Sequence, residues 1–598
     1  MRTILEFAIG TCLLGAVVFT AHCSSADANR FEDPDAAGRD GGAAIDHGAS
    51  EAGSGACPNH CSDDLRRILD CREQLVETCA DDKGCGGLTC VSACESAKWN
   101  RSNVGCEFFV PRPPESMTNS CHAVVVTNIW RTPATLKFTY GNETFSLAGH
   151  AVRASDNVPV ESNTIAPGET IIVGLAGRYC KGESLILEPY EVRVVGLNES
   201  GRARAFEVES DVPVQIRSSE ALLNEATLIG ATTMWDRDYV MAMPAPAHYS
   251  GWPGGFIQIV GREDSVVEIR PREPLLGAPD LPALAAHDVR SYRLGRGEIL
   301  QFVQDDDLTG SFIHSNKPVG VFAGAANFAV DGPDKCCDKE RGSSVQVQVS
   351  PSRSLGDRYV AVRYRDRYEG VVENGVWRIV GAADGTVLTY EPATPRGAPT
   401  KLSAGEFAEF KTTDPFVVSS QDAEHSFALY GYMSAGVEYM PNPPEEYWTG
   451  DVRGAAEFTP VIPVVQYMKQ YRFYTDSFYP ETNLVVVRRR GKDGFADVVL
   501  DCAGSLSGWA PLGTSGDLEF TRVDLSRGNY EPQGNCKNGV REMHSDAPFT
   551  GTVWGWGSLA TGGAHDGPGT FTCAASYAFS IGAGFRPIDT SDLPGGIH

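Results

Sequence analysis

Apolar and polar residues alternate with a period of two along much of this chain, most clearly in Phe256-Ile-Gln-Ile-Val260 and Ser265-Val-Val-Glu-Ile-Arg270. That period turns one apolar face towards a core, as a half-buried strand requires. The predicted strands recur in one order, four times. A strand pair comes first, at 122–140, 256–271, 376–392 and 484–501. A glycine-led strand follows, at 165–175, 294–304, 402–412 and 525–534. A strand, a polar turn and a second strand close each copy, at 205–219, 311–324, 415–432 and 541–558. Gly168, Gly297, Gly405 and Gly528 mark the period, at spacings of 129, 108 and 123 residues. A solenoid or propeller unit is usually about 20–50 residues, so this period predicts tandem domains. About six to eight short strands per copy suit a β-sandwich. The expected boundaries are 118–225, 226–345, 346–455 and 456–590, with each marker glycine opening the equivalent strand.

Residues 57–110 follow another rhythm. Leu65, Ile68, Leu69, Leu75 and Val76 recur at helical spacing, behind Ser62, Asp63 and Asp64 at a capping position. Gly84, Gly86 and Gly87 interrupt, and Leu88, Val91 and Cys94 begin a second helical run. A helical hairpin is predicted. Its two C-x3-C pairs, Cys57/Cys61 and Cys90/Cys94, would face each other and join as Cys57–Cys94 and Cys61–Cys90. With Cys71, Cys79, Cys85 and Cys106, four bridges would staple a unit whose own core is thin. A zinc site is disfavoured, because the spacing is not the usual x2 knuckle. Further on, Cys121 and Cys180 are expected to pair, as are two of Cys502, Cys536 and Cys573. The adjacent Cys336 and Cys337 are expected to take separate partners, since a bond between neighbours strains the intervening peptide.

The N-terminal 22 residues read as an export signal, with an apolar stretch from Phe7 to Phe19 too short to span a bilayer. The sequence Thr20-Ala-His-Cys23-Ser-Ser resembles a bacterial lipoprotein signal, with Cys23 the acylated residue and His22 a departure from the usual small residue. The alternative is cleavage after Ala26-Asp-Ala28 and free secretion. Both place the chain outside the cytoplasm, the first at the cell envelope, most simply the outer membrane. Residues 23–56 are rich in Asp, Gly, Ala and Ser and predict a tether. As a flexible coil it would average roughly 30 Å end to end. The net charge of −26 over 598 residues repels phosphate backbones, so nucleic acid is not an expected partner.

Candidate chemistry is sparse. Asp305, Asp306 and Asp307 form a dense acidic spot, a calcium candidate set against the simpler reading of a capped turn. No other cofactor is indicated. His314 and His544 hold related places in the second and fourth copies and read as structural or surface residues. Trp554 and Trp556 form an aromatic run aligned with Val321–Gly324 and Ala428–Tyr432, so one face should lie in the core; an exposed ligand platform is the alternative.

The later copies carry a specific combination of motifs. Asp307-Leu-Thr-Gly-Ser311 precedes Ser315-Asn-Lys-Pro-Val319 and Val321-Phe-Ala-Gly324. Cys337-Asp338, Pro351, Gly356 and Tyr359 follow, then Gly450-Asp451, Pro463, Gln466-Tyr467 and Tyr471. His544-Ser-Asp-Ala-Pro-Phe549, Ser576-Tyr-Ala-Phe579 and Gly582 complete the set. Over about 235–585 the chain resembles the N-terminal domain of the IgGFc-binding protein family. It departs after Cys337-Asp338, where the family has His-Leu and an acidic-Gln pair and this chain has Lys339-Glu-Arg-Gly342. The resemblance implies a surface-exposed, non-enzymatic β-rich protein of adhesion or matrix, with an unidentified protein or polysaccharide as partner. Immunoglobulin binding does not carry over, because no residue set for it maps onto this chain. An architectural envelope protein without a ligand is the alternative, and a hydrolase with a dispersed site is the third reading.

Overall fold

A computed structural model describes residues 59–62, 64–114, 121–177, 181–182, 185–186, 198–220, 226–246, 254–328, 330, 343–441, 451–558 and 575–585. Cys23, Cys57, Cys180, Cys336, Cys337 and Cys573 lie outside them, as do the export signal and the tether. The described chain is mainly β.

One strand arrangement recurs four times. A central strand (His122–Asn128, Gly255–Gly261, Gly375–Gly381, Glu481–Arg489) lies between two antiparallel neighbours. On one side is the strand after the glycine turn: Thr170–Ala176, Glu298–Gln304, Phe407–Thr412 or Leu518–Arg527. On the other is the second half of a long strand: Phe206–Glu220, Phe312–Phe328 or Gly539–Trp556, with Phe427–Met433 in the third copy. A short edge strand completes the layer: Thr227–Ile229, Ser343–Gln348, Glu457–Pro460 or Ser576–Ser580.

The long strand bends, and its first half enters the opposite layer. There it pairs with Ala134–Tyr140, Ser265–Arg270 or Val498–Leu500. The bend is written locally. The Oγ atoms of Ser210, Ser315 and Ser545 accept the N–H two residues on, from Val212, Lys317 and Ala547, at 3.4, 3.4 and 3.2 Å. Pro213, Pro318 and Pro548 follow and offer no N–H to a ladder, so the strand must turn there. In the third copy a 3-10 turn, Ala423–His425, breaks the path between Phe416–Ser419 and Phe427–Met433. Apolar residues of the two layers meet inside, as Ile257, Ile259, Val267, Ile269, Ile313 and Val321 do in the second copy.

Gly168, Gly297 and Gly405 open their strands with φ of +79°, +69° and +77°, where a side chain would strain the backbone. The glutamate behind each folds back: Glu169, Glu298 and Glu406 accept the N–H of Ala166, Gly295 and Ser403 at 2.7, 2.8 and 2.8 Å. Gly528 departs from the expectation. It follows Leu518–Arg527 instead of leading it, and Gly516-Asp517 takes the leading place. Arg490 N–H donates to Asp517 O, just as Gly381 N–H donates to Glu406 O and Asn128 N–H to Glu169 O. The shorter aspartate is engaged by Arg358 instead, so the local glycine–glutamate signal is lost here.

The edge strands of the four copies pack around one axis, each on the next and the fourth on the first. The sandwiches therefore form a closed ring. Residues 101–103 and 583–585 close it: Phe585 N–H donates to Arg101 O at 2.8 Å, and Ala583 N–H donates to Asn103 Oδ1 at 3.1 Å.

The cysteine-rich module is not a helical hairpin. Short antiparallel strands His60–Cys61, Arg67–Leu69 and Leu75–Thr78 precede a hairpin, Lys83–Gly86 with Thr89–Ser92, and a single helix, Ala93–Asn100. Its bridges are Cys61–Cys85, Cys79–Cys90 and Cys94–Cys106, and Cys71 is also disulfide-bonded. The expected Cys61–Cys90 bond does not form, and Cys94 is not bonded to Cys57. Turn chemistry overrides the helical period. Ser62 Oγ accepts Arg67 N–H at 2.9 Å, and Asp70 Oδ1 accepts the N–H groups of Arg72 and Gln74 at 2.8 and 2.9 Å. Leu65 and Glu73 sit at φ of +59° and +62° in those turns. Leu65, Ile68 and Leu69 are buried as expected, but Leu75 and Val76 are exposed. The module rests on the first sandwich: Leu65, Ala93 and Ala97 join its core, and Trp130 Nε1 donates to Asp81 O at 2.9 Å. Elsewhere Cys502–Cys536 is one of the expected bonds, and Cys121 is disulfide-bonded.

Candidate binding surfaces

Polar chemistry in this ring concentrates at the seams between sandwiches. One position of the central strand faces the preceding sandwich in every copy, and register identifies it as Val125, Gln258, Arg378 and Val485. Arg378 is 1% exposed and reaches into the second sandwich. Its Nη1 donates to Asp307 Oδ2 and Thr309 Oγ1, both at 2.8 Å, and to Met243 O. Its Nε donates to Glu409 Oε1 at 3.1 Å, and its guanidinium lies 4.8 Å from the Phe407 ring centroid. A cation so buried needs such neighbours to offset its lost hydration.

This seam disposes of the calcium candidate. Asp307 faces Arg378 and caps its own turn, Oδ1 accepting Thr309 N–H at 3.0 Å. Asp306 Oδ2 accepts Gln304 Nε2–H at 3.1 Å. The carboxylates of Asp305, Asp306 and Asp307 do not converge, and among the described residues no cluster of three metal-ligating side chains occurs.

The aromatic run is core. Trp554 and Trp556 are 2% and 0% exposed and pack on Tyr364 across the seam between the third and fourth sandwiches. That seam also holds a charged network. Arg358 pairs with Asp517, Arg363 with Asp366, Arg365 with Glu481 and Asp524, Arg367 with Glu373, and Arg453 with Asp451. Hydrogen bonds from Arg358 hold the Asp517 carboxyl down to about 2. The Arg367–Glu373 pair is wholly buried, and Arg365 lies over Trp556 at 4.8 Å. Arg358 and Arg365 pair across the seam and fasten it, whereas the pairs of Arg363, Arg367 and Arg453 lie within the third sandwich. Sequence reading missed the seams because their partners lie 71 residues apart for Asp307 and Arg378 and 159 apart for Arg358 and Asp517.

His314 stands on an outer face, its Nδ1 at 2.7 Å from Asp238 Oδ1. That hydrogen bond raises its pKa against the opposing effect of burial. Ser291 Oγ bonds Glu268 at 3.0 Å rather than His314, so no serine–histidine relay forms at this spot. His544, the related residue, is exposed opposite Gln470.

The cavity on the ring axis, lined by all four edge strands, is about 40 Å³, room for little more than water. A surface cleft of about 320 Å³ lies on the second sandwich, lined by Asp264, Ser265, Val266, Arg293, Leu294 and Glu298 among others. On the cysteine-rich module Leu88 and Trp99 are exposed, and the Trp99 ring covers the Gly86-Gly87 turn. Cys23 lies outside the described residues.

A family model described as IgGFc binding protein matches residues 225–555, more than half of the chain. The match starts at the edge strand of the first sandwich and ends with the long strand of the fourth. No curated protein matches the sequence.

Proposed function

The chain belongs to the IgGFc-binding protein family, and from that premise we propose that it is a non-enzymatic binding protein of the cell envelope, lipid-anchored at Cys23, that holds a protein or polysaccharide ligand on the exterior of its ring. One observation carries this reading. Arg358, Arg365 and Arg378, with Trp554 and Trp556, are committed to contacts between one sandwich and the next, and the axial cavity of about 40 Å³ is too small for a ligand. The ring thus acts as a stiff carrier, and recognition falls to its outer clefts and connections. A leader ending at Cys23 and a polar stretch to residue 56 suit presentation away from a membrane surface.

Capture assays test the ligand. The purified mature chain, immobilised, should retain a discrete protein or polysaccharide from surface extracts of its own or a neighbouring cell. Retention of nothing above a denatured control would favour the purely architectural role. Metabolic labelling with a fatty-acid analogue tests the anchor. An unlabelled product beginning at Asn29 would replace it with free secretion.

A further inference from the structure

The charged network between the third and fourth sandwiches contains six arginines, Arg358, Arg363, Arg365, Arg367, Arg453 and Arg522, and five of them face a carboxylate. Arg522 does not. Among the described residues no carboxylate lies within ion-pair distance of its guanidinium. Its Nε donates to Arg363 O at 2.8 Å, which brings two like charges together. The nearest candidate counter-ion is already committed: Asp366 Oδ1 accepts both Arg363 Nη2–H and the Glu373 N–H. Arg363 is itself 8% exposed, and its Nε is buried with no hydrogen-bond partner. Burial first, and then the Arg363 charge, pull the Arg522 pKa down to about 10. Asp366 is 40% exposed, so the seam is open to solvent beside the two guanidiniums.

We propose that Arg363 and Arg522 form an oxyanion site at this seam, taking sulfate, phosphate or a carboxylate group. Arg363 donates Nη1–H to Tyr364 O at 2.9 Å and Nη2–H to Asp366 and keeps only Nε unpaired, so Arg522 supplies the open donor fork, which matches the paired oxygens of such ions and outcompetes chloride, a single point acceptor. A bound oxyanion would supply the acceptor that Arg363 Nε lacks and the negative charge that Arg522 lacks. Because Arg363 comes from the third sandwich and Arg522 from the fourth, the ion would also tie one to the other. The site rests on the seam geometry alone, so its failure leaves the ligand-capture reading untouched, and the reverse.

The test is titration calorimetry of the intact mature chain with inorganic phosphate, sulfate and acetate, each against chloride at equal ionic strength. At least one of the three should bind at a single site, with phosphate and sulfate separating from acetate if the site prefers a tetrahedral ion. Arg522→Gln should weaken that binding at least tenfold. Arg522→Lys, which keeps the charge and loses the fork, should weaken it about threefold or more and guards against a misfolded glutamine variant. No saturable binding of any of the three ions, or equal affinity in the wild type and both variants, overturns the proposal.

Discussion

The first sandwich and the three that follow tie the same corner with different chemistry. In the second, third and fourth, a tyrosine clips the strand where it passes between layers. Tyr239, Tyr359 and Tyr471 donate O–H to the carbonyls of Val319, Phe427 and Phe549 at 2.7, 2.6 and 2.7 Å. The same oxygens accept the N–H of Asp236, Gly356 and Met468 at 3.0, 3.0 and 2.9 Å. In the first sandwich the corresponding strand is Gly105–Val110, and register puts Phe108 where the tyrosine stands. A covalent tie stands in. Cys106, two residues away, bridges to Cys94, whose sulfur lies 3.6 Å from Ser210 O at the corner itself. The family match begins at residue 225, so most of the first sandwich lies outside it. The corner needs a tie in every copy, and the repeat accepts either a hydrogen bond or a docked, disulfide-bonded module.

The largest effect should come from removing the covalent tie. Cys94→Ala with Cys106→Ala should cost about 3 kcal/mol, the usual scale for a bridge closing a loop of this length. Protease should then cut near residues 93–106 before it cuts any of the later sandwiches. Unchanged denaturation with unchanged proteolysis would mean that the bridge is not the tie.

Tyr239→Phe, Tyr359→Phe and Tyr471→Phe should each cost about 1–3 kcal/mol in urea unfolding, because each strands a buried N–H and a buried carbonyl. Three equal losses would sharpen the comparison; a loss at only one position would break the equivalence of the three copies. In the background lacking the Cys94–Cys106 bridge, Phe108→Tyr should recover about 1 kcal/mol, since Val214 O lies in register with Val319 O. No recovery would show that the first corner cannot accept the tyrosine clip.

The smallest effect is a contrast in pH dependence at one aligned position. Asp238 of the second sandwich aligns with Glu107 of the first. His314, raised by Asp238, adds stability that is complete below its unfolded pKa of about 6.5 and fades as pH rises through its folded value. Burial pushes the Glu107 carboxyl up, but Thr232, Arg262 and Arg296 together draw it below the usual range. Its contribution is therefore complete above about pH 4.3 and is lost as pH falls through its folded value. Both groups are partly exposed, so each effect should stay below about 1 kcal/mol. Stability measured against pH should lose slope above pH 6.5 in His314→Gln and below pH 4.3 in Glu107→Gln. The opposite assignment of slopes would refute it.

Whatever depends on neighbours along the chain could be read directly from it. Alternation set the strands and their buried faces, as Ile257 and Ile259 show. The Gly-Glu pairs at Gly168, Gly297 and Gly405 specified their turns, and the Ser-x-x-Pro runs at Ser210, Ser315 and Ser545 specified their bends, through bonds spanning two or three residues. Trp554 and Trp556 were legible as core from their alignment with the other copies. Where the local signal changed, reading failed. Asp517 replaced glutamate and the fourth turn was misplaced, and in the cysteine module a helical apolar period was overruled by side-chain-capped turns at Ser62 and Asp70. The tertiary structure alone decided the ring. Its closure joins Asn103 to Ala583, 480 residues apart, and its seams pair Arg378 with Asp307 and Arg358 with Asp517. A charge or a carbonyl in the sequence carries no mark of its distant partner. Only the packing of one whole sandwich on the next brings such groups within hydrogen-bonding range and, by excluding water, makes each depend on the other.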